Sequence, residues 1–148
     1  ITIEETPTEE TEIAIPDIII ELNSADTTQL ATIMKKGLAK RIVGYRKTLG
    51  GYYSLEQLKE VYNITDEDIR NIIPYLKIDT TNLRKIDVNK ASVEQLKRHP
   101  YINFYQAKAI YELRKAKKNL SSINDIFHLE EFSKNDIKRI TPYLNFEQ

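Results

Sequence analysis

The sequence contains no cysteine and no tryptophan, and its 148 residues include only four glycines and five prolines. Without cysteine the chain can form no disulfide, no thiolate metal site and no thiol nucleophile. The scarcity of glycine and proline favours helices over a turn-rich all-β fold. The two histidines, His99 and His128, have no second strong ligand at helical spacing. We therefore expect no metal site, no cofactor and two partly exposed histidines on helices.

Long apolar runs are also missing. Apolar residues make up 41% of the chain and charged residues 30%, which is typical of globular proteins. No stretch approaches the roughly 18 apolar residues that a membrane-spanning helix requires. The first residue is Ile1 rather than Met. We therefore expect a trimmed or processed product, upstream of which a signal or membrane anchor would leave no trace here.

The net charge of zero hides an asymmetry. Residues 1–21 hold seven of the 22 acids and no Lys or Arg, so residues 22–148 carry about +7. The Thr/Glu-rich start predicts a flexible acidic leader over residues 1–18. The basic remainder is compatible with phosphate binding, and equally with a lysine-rich helical surface in water.

An internal repeat follows the leader. The segments Ile20-Glu-Leu-Asn-Ser-Ala25 and Ile86-Asp-Val-Asn-Lys-Ala91 match at a spacing of 66, whereas Ile73-Pro-Tyr-Leu76 and Thr141-Pro-Tyr-Leu144 match at 68. The first copy is therefore two residues shorter, and we place the difference in its first helix–helix connection. The repeat predicts one unit over residues 19–79, a linker over 80–84 and a second unit over 85–148.

Each unit is predicted to contain four short helices. Six capping-box patterns mark helix starts at matching places in the two copies: Asp26/Gln29, Ser54/Gln57, Thr65/Asp68, Ser92/Gln95, Ser122/Asp125 and Ser133/Asp136. Apolar residues recur every three or four positions and predict buried helix faces: Leu38, Ile42, Tyr45 and Leu49; Ala107, Ile110, Leu113 and Ala116; Ile69, Ile72, Ile73 and Leu76; and Ile137, Ile140 and Leu144. Helix stops are expected at Gly50-Gly51 and at Lys117-Lys118-Asn119.

The same residues carry a family resemblance. The second unit reads Val88-Asn-Lys-Ala91, Gln95-Leu96, His99-Pro-Tyr-Ile-Asn103, Ala107, Ile110, Leu113-Arg114, Ser122, Ile126, Leu129, Ile137 and Pro142-Tyr-Leu144. The first unit reads Leu22-Asn-Ser-Ala25, Gln29-Leu30, Ala39, Ile42, Tyr45-Arg46, Tyr53, Gln57-Leu58, Val61 and Pro74-Tyr-Leu76. This order resembles the ComEA-type double helix-hairpin-helix family of bacterial DNA receptors. The resemblance covers nearly all of residues 19–146.

The resemblance implies an all-α fold of two tandem four-helix units, each made of two helix hairpins. In that family a Gly-x-Gly hairpin lets backbone N–H groups at the start of a helix meet a DNA phosphate. Here the equivalent hairpins read Met34-Lys-Lys-Gly37, Asn63-Ile-Thr65, Tyr101-Ile-Asn103 and Glu131-Phe-Ser133. None keeps both glycines, and we expect Asn63 and Asn103 to hold the left-handed backbone instead.

The candidate DNA-binding residues are those at the first hairpin of each unit. In the first unit they are Lys35, Lys36, Gly37, Lys40 and Arg41, with a solvated basic helix end as the alternative. In the second they are Tyr101, Asn103, Tyr105, Gln106 and Lys108, with packing of the tyrosines at the rim of the core as the alternative.

Two functions remain open at this point. The first is non-catalytic, sequence-independent binding of duplex DNA through its phosphates. The second is a protein-interaction or structural module that keeps the fold without the phosphate site, as in the extrinsic photosystem proteins of this fold family. No catalytic constellation and no glycine-rich phosphate loop is present, so neither an enzyme nor a small-molecule substrate is expected. Similarity to ComEA favours a location outside the cytoplasmic membrane, behind an upstream anchor.

Overall fold

The computed structural model of the chain describes residues 17–147. Of the predicted leader only residues 17 and 18 are included, so its predicted flexibility lies outside the described residues. Packing divides the chain into two compact units. One holds the described residues up to Tyr45 together with Ser54–Thr80, and the other holds Arg46–Tyr53 together with residues 81–147. None of the helices in residues 17–147 is long and apolar enough to cross a bilayer.

The regular secondary structure is mostly helical with little strand, which confirms the predicted all-α class. In the first half of the chain the elements are β1 (Ile20–Glu21), α1 (Thr27–Leu30), α2 (Lys36–Leu49), a 3-10 helix (Leu55–Glu60), α3 (Asp66–Ile72), a 3-10 helix (Ile73–Tyr75) and β2 (Leu76–Lys77). In the second half they are β3 (Ile86–Asp87), α4 (Val93–Lys97), α5 (Phe104–Lys117), α6 (Ile123–Phe127), α7 (Lys134–Ile140), a 3-10 helix (Thr141–Tyr143) and β4 (Leu144–Asn145).

The helix starts follow the predicted repeat. Helices α1 and α4 begin 66 residues apart, whereas α2 and α5 begin 68 residues apart. The two missing residues of the first copy therefore fall between the starts of α1 and α2, as predicted. One of them is lost from helix α1, which has four residues against five in α4, and the other from the connection that follows.

All six predicted capping boxes are present, each with both reciprocal hydrogen bonds. At the start of α4, for example, the Ser92 hydroxyl accepts from the Gln95 N–H at 3.1 Å, and the Gln95 side chain accepts from the Ser92 N–H at 2.8 Å. Each such cap stabilises its helix by about 1 kcal/mol. Helices this short are marginal by themselves, so these local contacts decide where they begin.

The core is also repeated. The best-buried apolar side chains of the two halves stand at equivalent positions, each at most 1% exposed: Leu22 and Val88, Leu30 and Leu96, Ile42 and Ile110, Leu58 and Ile126, and Ile72 and Ile140. Most of the predicted helix stripes are confirmed as core. The prediction is wrong for Ala116, which is exposed near the end of α5. Four other stripe residues are only half-buried: Tyr45, Ile69, Ile73 and Leu113.

The predicted helix stops are confirmed by the backbone. Gly50 and Gly51, directly after α2, have φ angles of 92° and 110°, and Lys118, directly after α5, has a φ of 73°. Positive φ ends the helical hydrogen-bond pattern, and glycine adopts it at little cost. Lys118 adopts it despite its side chain, which makes the second helix end the more strained of the two.

Two short parallel strand pairs were not expected from the sequence. Strand β1 pairs with β2, with Ile20 opposite Leu76, and β3 pairs with β4, with Ile86 opposite Leu144. Strands of two residues carry no readable periodicity, and their partners lie more than 50 residues away. The pairs join the start of each sequence repeat to its closing Pro-Tyr-Leu segment.

Candidate nucleic-acid interface

The start of α2 lacks the capping side chain that the other α-helices have. The Lys35 carbonyl accepts from the Ala39 N–H at 3.0 Å, so Lys35 occupies the N-cap position. Its ammonium group can only donate hydrogen bonds and cannot cap an N–H group. The reciprocal position is Leu38, which is apolar and buried. The first N–H groups of α2 are therefore left without an acceptor from either capping position.

Positive charge and open space surround this helix start. Lys35, Lys36 and Lys40 are exposed, and a side chain added at Gly37 would meet no atom within 4 Å. The helix dipole adds partial positive charge at the same end. Arg41 is half-buried and donates to the Tyr62 carbonyl, so it also holds the second hairpin in place. A cavity at this helix start is lined by Lys35, Gly37 and Arg41, and on the α3 side by Asp68.

The equivalent start of α5 is closed by the protein itself. Asn103 accepts from the Gln106 N–H at 2.8 Å, and the Gln106 side chain accepts from the Asn103 N–H at 2.9 Å. The Gln106 amide also donates to the Glu131 carbonyl at 3.0 Å and to the Asp136 carboxylate at 3.2 Å. The sequence analysis did not predict this seventh capping box, although Asn103-x-x-Gln106 has the same spacing as the six predicted ones.

The predicted left-handed backbone conformation is confirmed for Asn63 and is wrong for Asn103. Asn63 has a φ of 59° and lies in the left-handed region, as expected. Asn103 has a φ of −90° and an extended backbone, because it caps α5. An N-cap residue takes extended geometry so that its side chain can reach back to the helix.

Two of the ten candidate residues are buried. Tyr101 is 6% exposed and packs against the Arg139 guanidinium, 4.0 Å from the ring centre, and against His99, 5.1 Å away. Gln106 is 5% exposed and makes the hydrogen bonds described above. Their side chains are not presented to a ligand at the surface. Asn103, Tyr105 and Lys108 are exposed, as are the lysines of α2. Contact of these residues with DNA stays a prediction.

The helix that follows the second hairpin of each unit has acidic residues in its first turn, three in α3 and one in α7. Helix α3 opens with Asp66, Glu67 and Asp68, and Thr65 caps it through the Asp68 N–H at 3.0 Å. Helix α7 is capped by Ser133 and carries Asp136 in its first turn. Acidic side chains near a helix N-terminus are stabilised by its dipole and repel a phosphate. Of the four hairpins, the start of α2 is the most favourable for an anion.

The expectation of two partly exposed histidines on helices is wrong for His99, which is 5% exposed and follows α4. Its Nε2 donates to the Leu49 carbonyl at 2.8 Å, and its Nδ1 accepts from the Tyr101 N–H at 3.1 Å. Burial lowers the pKa of His99 to about 4. His128 is exposed just after α6. Among the described residues, no three His, Asp or Glu side chains converge as metal ligands would.

Comparison with known families agrees with this architecture. A family model described as the helix-hairpin-helix motif matches twice, over residues 17–77 and 81–145. No curated protein and no solved structure matches the chain. The two matches cover most of the sequence and coincide with the two copies of the repeat. The chain therefore belongs to the helix-hairpin-helix family.

Proposed function

We propose that this protein is a non-catalytic DNA-binding protein that holds the phosphate backbone of duplex DNA at the start of α2. The observation that supports the proposal is the first turn of α2, where neither Lys35 nor Leu38 supplies a capping acceptor and where the space at Gly37 is open. Helix-hairpin-helix motifs are commonly associated with nucleic-acid binding, which adds support at the level of the family. The finer similarity to ComEA-type DNA receptors rests on the sequence pattern alone and forms part of the proposal.

The expected contact is with the backbone and not with the bases. Backbone N–H groups and lysine ammonium groups bind phosphate oxygens, which are the same at every step of the duplex. An exposed helix start presents no side chain shaped to enter a groove. Binding is therefore expected to be independent of sequence, weak and strongly dependent on salt, with a slope of about −0.9 per phosphate contact.

The test is a titration of a 20-base-pair duplex at two salt concentrations, followed by fluorescence anisotropy. The double variant Lys35→Gln/Lys36→Gln removes two charges from the start of α2. The matched control, Lys134→Gln/Lys138→Gln, removes two exposed charges from α7. We expect the first variant to bind about tenfold more weakly and with a salt slope smaller by about two. The control is expected to resemble the wild type.

Two outcomes contradict the proposal. One is the absence of detectable binding by the wild type at low salt. The other is an equal loss of affinity in the two double variants, which would show that only the total charge matters. Divalent-metal-dependent cleavage of the duplex by the purified protein would contradict the non-catalytic part.

A protein-interaction module is the second candidate function. It is favoured by the large aromatic side chains that remain exposed at the closed hairpin of the second unit, Phe104 at 47% and Tyr105 at 72%. Exposed aromatic residues are common at protein interfaces. Affinity capture from the source lysate, with and without nuclease, separates the two candidates. Partners that Phe104→Ser/Tyr105→Ser loses and that persist after nuclease favour this second function.

A further inference from the structure

A basic pocket lies in the second compact unit, and none of the candidate residues at the helix starts discussed above lines it. Its volume is about 590 Å³. One wall is the end of α2, at Thr48 and Leu49, and another is the segment 84–87 that includes β3. The remaining lining comes from residues 90 and 91 and from α4 and the two residues after it. The pocket is wide enough for a phosphate or pyrophosphate group and its first hydration shell.

The walls are tied together by hydrogen bonds to the last carbonyls of α2 and the residue after it. The Arg84 N–H donates to the Gly50 carbonyl at 2.8 Å, and the Arg84 guanidinium donates to the Lys47 carbonyl at 2.7 Å. His99 donates to the Leu49 carbonyl, as described above. The end of a helix would otherwise repel an anion, because its free carbonyls carry partial negative charge. These donors cover three of the carbonyls and leave the lining largely cationic.

The charges of the lining are unbalanced. The pocket is lined by four cations, Arg84, Lys85, Lys90 and Arg98, and by one acid, Asp87. In the part of the chain that the structure describes, none of these four cations forms a salt bridge. A concave surface lined by charge of one sign concentrates ions of the opposite sign.

The repeat provides an internal comparison. At the spacing of 66, the residues equivalent to Arg84, Lys85 and Lys90 are Ile18, Ile19 and Ser24. The residue equivalent to Arg98 at the same spacing is Thr32, in the connection after α1. The same strand and helix form in both copies. The strand and helix therefore form without Lys85, Lys90 and Arg98, and the set of four cations is found only in the second copy of the repeat.

We propose that this pocket binds a phosphate group through Lys85, Lys90 and Arg98, with Arg84 completing the positive wall. The phosphate belongs either to a nucleic-acid strand or to a free phosphorylated compound. The chemistry is the same in both cases, since ammonium and guanidinium groups donate charge-assisted hydrogen bonds to phosphate oxygens.

The test uses the full chain and sodium pyrophosphate as the probe, in a ¹⁵N–¹H NMR titration at constant ionic strength. We expect saturable shifts concentrated in residues 84–91 and at Arg98 and His99. The variant Lys85→Gln/Lys90→Gln is expected to bind pyrophosphate at least about tenfold more weakly, since loss of one charge-assisted hydrogen bond costs about that factor. The control Lys134→Gln/Lys138→Gln removes the same charge outside the pocket and is expected to retain the affinity.

Titration of the same variants with duplex DNA identifies the source of the phosphate. A loss of duplex affinity in Lys85→Gln/Lys90→Gln assigns the pocket to the DNA backbone, and an unchanged duplex affinity assigns it to a free phosphorylated compound. Lys35→Gln/Lys36→Gln is expected to leave the pyrophosphate shifts of residues 84–91, Arg98 and His99 unchanged, so failure at α2 is distinguishable from failure here. Absence of saturable shifts in the wild type, or equal weakening by the control, overturns the proposal.

Discussion

The Nε2 atom of His99 lies 2.8 Å from the carbonyl oxygen of Leu49, the last residue of α2. A carbonyl can only accept, so this nitrogen carries the hydrogen. The other ring nitrogen accepts from the Tyr101 N–H at 3.1 Å and must be unprotonated. The two bonds therefore fix one neutral tautomer of the buried ring. A second proton would face the Tyr101 N–H and would break that bond.

This arrangement predicts destabilisation by mild acid. Burial lowers the pKa of His99 from 6.5 to about 4, so the unfolded chain binds a proton more readily than the folded one. Stability is unaffected by this group above pH 6.5 and falls as the pH drops towards 4. The loss is expected to reach up to roughly 3 kcal/mol. The measurement is urea unfolding at several pH values between 4 and 7.

Replacing each histidine in turn isolates the effect of His99. His99→Gln removes the titrating ring while keeping an amide donor for the Leu49 carbonyl, so its stability is expected to vary less with pH. His128→Gln changes an exposed side chain and is expected to follow the wild-type curve. Identical pH dependence in all three proteins would rule out His99 as the cause.

Two glycines of the α2 region are expected to respond oppositely to alanine. At Gly50 the φ of 92° is unfavourable for alanine, and a Cβ would lie 2.7 Å from the Arg84 carbonyl oxygen. Gly50→Ala should therefore destabilise the fold by about 2 kcal/mol or more. Gly44 lies inside α2 with open space around it, and Gly44→Ala should stabilise the helix by about 0.5–1 kcal/mol. Thermal unfolding of both variants provides the comparison.

The missed cap of α5 gives a third prediction. Asn103→Ala removes the acceptor for the Gln106 N–H and should lower the free energy of unfolding by about 1 kcal/mol. Asn103→Ser keeps an acceptor at the same position and should be close to the wild type. Urea unfolding measures both. If the two variants were equally destabilised, the cap would not be the source of the loss.

Conversely, the start of α2 should gain stability from a cap and lose affinity for phosphate. Lys35→Asn introduces an acceptor for the first-turn N–H groups, and it is expected to stabilise the protein by about 0.5–1 kcal/mol. Lys35→Gln removes the same charge without supplying a good cap. Under the proposed function, duplex binding should fall further in Lys35→Asn than in Lys35→Gln. Equal affinity in the two variants would indicate that the backbone N–H groups take no part.

Features set by short-range contacts were the most predictable. The Ser92/Gln95 cap and its five counterparts depend on residues three positions apart, and the stop at Gly50 depends on one backbone angle. Because the unit is repeated, most capping patterns and apolar stripes occur twice in the sequence, and each copy supports the prediction made from the other. Asn103 was misassigned because its short polar side chain suits both a left-handed turn and an N-cap. Only the presence of Gln106 three residues later distinguishes the two.

The sequence by itself determined the doubled unit, most of its helix starts, its two predicted helix stops and most of its core, because caps and apolar spacing act within one or two turns of helix. Only the tertiary structure decided that the Ile86 strand pairs with Leu144, that Tyr101 and His99 are buried, and that four cations line one pocket. Those features depend on residues brought together from distant parts of the chain. Strand pairing, side-chain burial and the grouping of cations in one pocket result from tertiary packing, and local sequence patterns do not predict them.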